Sequence, residues 1–298
     1  MLKLISKQYA LLPKCFCLLV LVNLFFVSHA QPVFDAVNLR YQNSPEGANS
    51  PDANRFDYLN LSLNIPVVSK KDSSIIVFSP FAEKWKIRAD SFPDIPSWTK
   101  SVGLPVSLIM PFGKTWSVAF SVIPRWNGYA NASYSNFQIG GAMLATYKKR
   151  PGLQYKFGLY YNSEFSGPFF MPLLGIDWRI DARNNLYGVL PGNLVYEHKV
   201  SKMFYWGASF RSITNTYRQG LYYTSPQPSF LRIQDTQADL YTDFYVLDNV
   251  VLSFAAGHSF ARKYREGNKN ISAGYYHDQT MDAGFYGKIS FLYRLRFR

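Results

Sequence analysis

Residues 282–297 read Asp-Ala-Gly-Phe-Tyr-Gly-Lys-Ile-Ser-Phe-Leu-Tyr-Arg-Leu-Arg-Phe. Every second position, namely Ala283, Phe285, Gly287, Ile289, Phe291, Tyr293, Leu295 and Phe297, is apolar, aromatic or glycine. Asp282, Gly284, Tyr286, Lys288, Ser290, Leu292, Arg294 and Arg296 fall between them. Side chains alternate across a strand, so one face is greasy along its whole length while the other carries charge. Ten such residues at about 3.3 Å each, tilted near 45°, cover a hydrocarbon band of roughly 25 Å. The segment is expected to be a membrane-spanning β-strand.

Working back along the chain, the same period recurs. Leu153, Tyr155, Phe157, Leu159 and Tyr161 alternate with Gln154, Lys156, Gly158 and Tyr160. Leu174, Ile176, Trp178 and Ile180 alternate with Gly175, Asp177, Arg179 and Asp181. Leu59, Leu61, Leu63, Ile65 and Val67 alternate with Tyr58, Asn60, Ser62 and Asn64. A soluble sheet with one wet face has this period too, but aromatic spacing separates the two. Trp116 and Trp126 share a face ten residues apart, which places the rings roughly 23 Å from each other along the membrane normal. Phe137 and Tyr147 repeat the interval, so these four form the expected aromatic girdles. Phe120, Phe157, Trp178 and Phe291 are expected to face lipid between girdles.

Short connections are expected at 69–72, 113–115, 149–151, 181–185, 199–202 and 247–249. Longer ones are expected at 42–54, 90–100, 127–136, 163–171, 218–229 and 262–280. The alternation lapses between residues 185 and 199, where Pro191-Gly192 offers the one reversal. Counting that reversal and a first strand at Val33 to Tyr41 gives 14 strands. Counting neither gives 12. The fold class is therefore all-β, a transmembrane antiparallel up-and-down barrel forming one domain over residues 31–298. Residues 31–54 are a first strand with its loop, a periplasmic tail or a small plug.

The N-terminus supplies an export route. Lys3, Lys7 and Lys14 precede an apolar run from Cys15 to Val27, and Ser28-His29-Ala30 provides small residues for a signal peptidase. N-terminal sequencing of the membrane-extracted protein should begin at or near Gln31, and retention of Met1 would contradict cleavage. Cys15 and Cys17 lie in the removed segment, which excludes disulfides, thiolate metal sites and cysteine nucleophiles from the mature chain. After residue 30 no apolar run reaches 18 residues, so no transmembrane helix is expected. The formal charge of +13 falls to +10 without the three signal lysines. Its basic residues are scattered rather than clustered, which argues against nucleic acid as partner.

No convergent chemistry stands out. His258 and Ser259 are strand neighbours that point to opposite faces, so they form no dyad. His277-Asp278 sits in a predicted loop and His198 beside a turn. No metal-ligand spacing accompanies any of them, and no cofactor or metal is expected. The inward charges say more. Lys156, Asp177, Arg179, Asp181, Arg211, Asp239, Asp243, Asp282, Lys288, Arg294 and Arg296 are expected to face the lumen, where water or an opposite charge must meet them.

Gly175-Ile176-Asp177-Trp178, followed by Asn185-Leu186-Tyr187, Leu190-Pro191 and Val195-Tyr196-Glu197, resembles a family of uncharacterised outer-membrane β-barrel proteins of Gram-negative bacteria. The motif covers roughly residues 172–212. The resemblance implies a barrel and no assigned activity. Arg298 follows Phe297, a departure from the terminal aromatic of barrel-assembly signals. Expected partners are outer-membrane lipids, the barrel-assembly and export machinery and small hydrophilic solutes, and nothing in the sequence speaks to oligomeric state. A narrow or partly occluded passive channel, or a structural barrel, is the functional expectation. A lipid-modifying enzyme, acyl hydrolase or acyltransferase, is the alternative, and a soluble exported lipid-binding barrel is a third class.

Overall fold

The computed structural model describes residues 33–44, 55–88, 98–128, 136–218, 229–268, 275–281 and 284–296. The export signal, Asp282 and the Phe297-Arg298 end lie outside them. Among the described residues the secondary structure is all strand. In chain order the segments are β1 (Val33–Ser44), β2 (Arg55–Leu63), β3 (Ile65–Val68), β4 (Ile75–Phe78), β5 (Phe81–Arg88), β6 (Trp98–Gly103), β7 (Val106–Phe112), β8 (Trp116–Gly128) and β9 (Phe137–Arg150). There follow β10 (Leu153–Glu164), β11 (Gly167–Arg179), β12 (Asn184–Leu190), β13 (Asn193–Lys199), β14 (Phe204–Arg218), β15 (Ser229–Leu247), β16 (Val250–Asn268), β17 (Tyr275–Met281) and β18 (Gly284–Arg296).

β2 continues into β3, β4 into β5, β6 into β7 and β17 into β18, so the segments make a closed antiparallel barrel of 14 strands. Both conditions for 14 hold: Val33–Ser44 is a strand, and Pro191-Gly192 reverses the chain. The breaks at residues 64, 79–80 and 104–105 have a shared cause. Pro80, Pro105 and Pro124 lack an N–H, and their carbonyls accept instead from Leu63, Ser79 and Leu104 at 3.0, 2.9 and 3.1 Å. The barrel closes where β1 pairs with β18, from Val33 opposite Arg296 to Asn43 opposite Gly287, with a bulge between Asp35 and Val37.

Greasy side chains face outward around the wall. Leu59, Leu61, Val122, Met143, Leu159, Phe285 and Phe291 are all exposed in the isolated chain, where a bilayer would cover them. Of the four residues expected at mid-face, Phe120 and Phe291 are there. Phe157 is also outward but stacks on the girdle ring of Trp116, with centroids 5.8 Å apart. Trp178 stands beside the last residue of β11, at the short-turn rim rather than mid-face.

Two expected loops are mostly strand. Residues 163–171 contain only a two-residue turn, Phe165-Ser166, because Gly167 (φ 122°) starts β11 directly. Residues 262–268 extend β16, and β17 pairs back onto them. In both places polar and proline residues mimic loop composition while the backbone ladder continues.

The wall is uneven in height. β12 and β13 hold seven residues each, which rise roughly 16 Å against an apolar band of roughly 25 Å. Above their turn, β11 from Gly167 to Leu173 and β14 from Ser212 to Arg218 have no partner on the side where β12 and β13 should stand. Edges inside hydrocarbon leave N–H groups unsatisfied at several kcal/mol each. In β11 the odd-numbered amides point to β10, as Arg179 N to Gly152 O shows, and the even-numbered ones to β12, as Ile180 N to Asn184 O shows. Positions 168 and 172 are prolines. Between 168 and 172 the open edge therefore carries a single donor, that of Phe170.

The open edge of β14 meets the opposite wall instead. Above Ser212, whose N–H reaches Pro191 O at 3.0 Å, the strand has no β13 beside it and, still paired with β15 as far as Arg218 opposite Phe230, leans across the mouth. Arg218 there pairs in parallel with Gly128 of β8, on the far side of the barrel.

Candidate functional site

The interior is the part of this molecule where chemistry gathers, and it has two levels. The upper one is the mouth, which the tip of β14 closes. Thr216 points away from the lumen by strand parity yet is fully buried, because the far wall lies against it. Its hydroxyl accepts from Gln138 Nε2 at 2.7 Å and from Phe165 N at 3.1 Å, and its carbonyl accepts from Asn127 Nδ2 at 3.1 Å. On the other side Asn215 and Tyr217 reach Glu83, at 3.3 and 3.0 Å, and Tyr58 donates to the same carboxylate at 2.9 Å. Phe56, Tyr58, Trp85, Ile87, Ile213, Tyr217, Leu231, Ile233 and Tyr264 form one buried apolar cluster beneath this crossing.

The lower level is ionic. Lys156 meets Asp177 at 2.7 Å, Lys288 meets Asp239 at 2.7 Å, and Arg296 forks onto Glu197 at 2.9 and 2.6 Å. Arg294 bridges two carboxylates, reaching Asp35 at 2.5 Å and Asp243 at 2.6 Å. Arg125 with Glu164 at 3.5 Å and Arg262 with Asp235 at 3.4 Å repeat the pattern nearer the mouth. Tyr286 and Ser209 complete Asp239, at 2.8 and 2.7 Å. Buried charges that are paired and hydrogen-bonded can stand in a narrow interior; isolated ones cannot. Between the pairs lies a polar cavity of about 440 Å³, whose lining includes Asp35, Arg40, Arg211, Asp243, Lys288 and Arg294.

The Gly-x-Asp motif has a local purpose here. A Cβ on Gly175 would stand 2.5 Å from Gly188 O and 3.1 Å from Lys156 Cβ, so only glycine lets the lysine stem pass over to Asp177. Gly188 itself holds φ 142°, a conformation open to glycine.

Lys156, Asp177, Arg211, Asp239, Asp243, Lys288, Arg294 and Arg296 thus stand on the inner wall. Arg179 and Asp181 do not. Arg179 ends β11 and is exposed at the rim. Asp181 lies beyond the strand, where its carboxylate accepts from the amides of Arg183 and Asn184 at 2.7 and 2.8 Å and folds the turn. Those hydrogen bonds, with the Asn184 side chain first, hold Asp181 below the usual carboxylate range. Strand alternation ends with β11 at Arg179, so it no longer orients Asp181.

Asp35, Arg40, Glu83, Arg125, Glu164, Glu197, Asp235 and Arg262 were missed as lumen residues. The signal for Arg40 was present, since Leu39 and Tyr41 flank it with outward apolar side chains. Glu197 stands two residues from Val195, another inward position, on the same strand.

Among girdle positions, Trp116 pairs with Tyr147 and Trp126 with Phe137 directly across β8 and β9. The Trp116 and Tyr147 rings lie 4.9 Å apart. His258 packs edge-on against Phe285, centroids 4.9 Å apart, while Ser259 turns inward to Asp235. His198 Nδ1 contacts Asn184 Oδ1 at 2.7 Å in the short-turn rim. The side chain of His277 lies outside the described residues. Among the described residues no three His, Cys, Asp or Glu side chains are grouped to hold a metal.

The family model for a domain of unknown function, DUF6268, matches residues 83–294. No curated protein matches the chain. Among solved structures, a NanC porin aligns at 8% identity over 87% of this chain and 100% of that one, with a TM-score of 0.41. The translocator domain of the autotransporter NalP from Neisseria meningitidis aligns at 11% identity over 97% and 98%, with a TM-score of 0.35. A TodX deletion mutant, a monoaromatic hydrocarbon channel, aligns at 8% identity over 88% and 89%, with a TM-score of 0.38.

Proposed function

We propose, from the premise that this chain belongs to the DUF6268 family of unknown function, that it is a narrow passive channel of the outer membrane held shut at its mouth by the tip of β14. The observation that carries this reading is the hydrated-type interior: a polar cavity and a ladder of ion pairs inside a wall whose outer face is apolar. Charge in that position is stable only where water or counter-charge reaches it. The tip stays laddered to β15 on one side, but what holds it to the opposite wall is mainly side-chain hydrogen bonds, and this suits a hairpin edge that can swing back.

In this reading the chain is non-enzymatic. It is exported, delivered to the outer membrane by the barrel-assembly machinery and embedded among outer-membrane lipids, and small hydrophilic solutes are its cargo. Single-channel recording in planar bilayers tests it. The native protein should show rare, brief openings. Glu83→Ala combined with Asn127→Ala removes bonds holding the tip, worth about 1 to 2 kcal/mol, and should raise open probability about tenfold. Folded protein that is silent in both forms would mark a structural barrel instead.

A further inference from the structure

The inner-wall cations are not all alike. Arg125, Lys156, Arg262, Lys288, Arg294 and Arg296 each meet a carboxylate. Arg40 and Arg211 line the same cavity without one. Among the described residues Arg40 forms no side-chain hydrogen bond or ion pair, and its buried Nε has no partner. Among the described residues Arg211 touches Tyr58, whose hydroxyl and ring it approaches, while Glu83 and Asp235 act on it only from beyond ion-pair distance. Two guanidinium groups facing one enclosed space, neither with a carboxylate in contact, would both gain from an anion that joins them. The two carboxylates that act on Arg40 are already engaged: Asp239 by Lys288, Tyr286 and Ser209, and Asp35 by Arg294.

We infer that this cavity is a binding site for a small hydroxylated carboxylate, with the acid group on Arg40 and Arg211. A planar guanidinium matches a planar carboxylate through two parallel N–H bonds, which a lysine could not offer. The rest of the lining suits a ligand rich in hydroxyls. Ser253, Ser290 and Asn193 border the cavity, and the buried Oδ1 of Asp243 has no donor, so a ligand hydroxyl can supply one. At about 440 Å³ the space is in the range of small-molecule sites. The site goes beyond conduction and does not require it.

The test uses the full mature protein in detergent micelles, with sodium gluconate as probe and sorbitol as its uncharged counterpart. Isothermal titration should show gluconate binding and no sorbitol binding, and gluconate should raise the unfolding temperature. Arg40→Gln should weaken gluconate binding about 10 to 100-fold. It should also raise the unfolding temperature of the ligand-free barrel, since it removes a buried charge that no carboxylate contacts. A residue that merely braced the fold would move that temperature the other way.

Arg40→Lys keeps the charge and loses the fork, and should fall between the two in affinity. It serves as the readout if the glutamine variant fails to fold. Absence of gluconate binding to native protein at 10 mM, on the order of the weakest useful affinity, would overturn the inference. So would equal binding by Arg40→Gln. Binding without conductance would leave this site standing and remove the channel, whereas conductance without binding would do the reverse.

Discussion

Replacing Arg296 with methionine should destabilise the barrel by about 3 to 5 kcal/mol, read from urea refolding titrations in lipid vesicles. Its guanidinium forks onto both oxygens of Glu197, lies over Tyr205 at 3.7 Å and donates to Tyr245. Glu197 is 0% exposed, so the variant leaves a carboxylate in the wall with neither water nor cation. Attraction between the charges is not what the measurement would report. The loss is mainly the cost of the abandoned partner, and the double variant Arg296→Met, Glu197→Met should therefore recover most of it. If single and double variants were equally unstable, the pair would not be the cause.

Phe120→Arg should cost about 2 to 4 kcal/mol, and Phe137→Arg only about 0 to 1. Both side chains are exposed on the outer face. Phe120 pairs with Met143, midway between the girdle pairs Trp116–Tyr147 and Trp126–Phe137, so an arginine there must cross half the apolar band to reach water. At Phe137 it begins at the interface. Equal costs at the two depths in the same titration would show that β8 and β9 do not span a bilayer in this register.

The barrel was legible because one physical constraint, an apolar outer face, repeats with period two along every long strand. Leu59, Leu61, Ile65 and Val67 declare it even across the break at Asn64. The girdles were legible for a related reason, since a ten-residue interval is set by membrane thickness. The mouth was not. Thr216 and Asn215 look like ordinary residues at a strand end, and their alternation does not say that β14, with β15 still beside it, leans onto the opposite wall.

A trace of it can still be found on the outward face of β14, where Trp206, Ala208 and Phe210 give way to Ser212, Thr214, Thr216 and Arg218. A face that turns polar before the strand has cleared the membrane must be touching protein. The ion-pair partners were only half legible. Parity names which residues face inward, but which cation meets which carboxylate depends on strand order and shear, and Arg294 with Asp35 are 259 positions apart.

That separation also governs assembly. The seam between β1 and β18 joins the first and last strands described, so the earliest-made strand waits for the latest before its edge is covered. Contacts this distant in sequence form slowly, because the chain must first give up the freedom of everything between them. Until then two bare strand edges are open to pairing with other chains. The ion pair of Arg294 with Asp35 then serves as a register check at the final zipping step, because it joins β18 to β1 across the seam. A seam slipped by one residue would put Arg294 and Asp35 on opposite faces and leave one of them toward lipid, so a misclosed barrel would open again rather than persist.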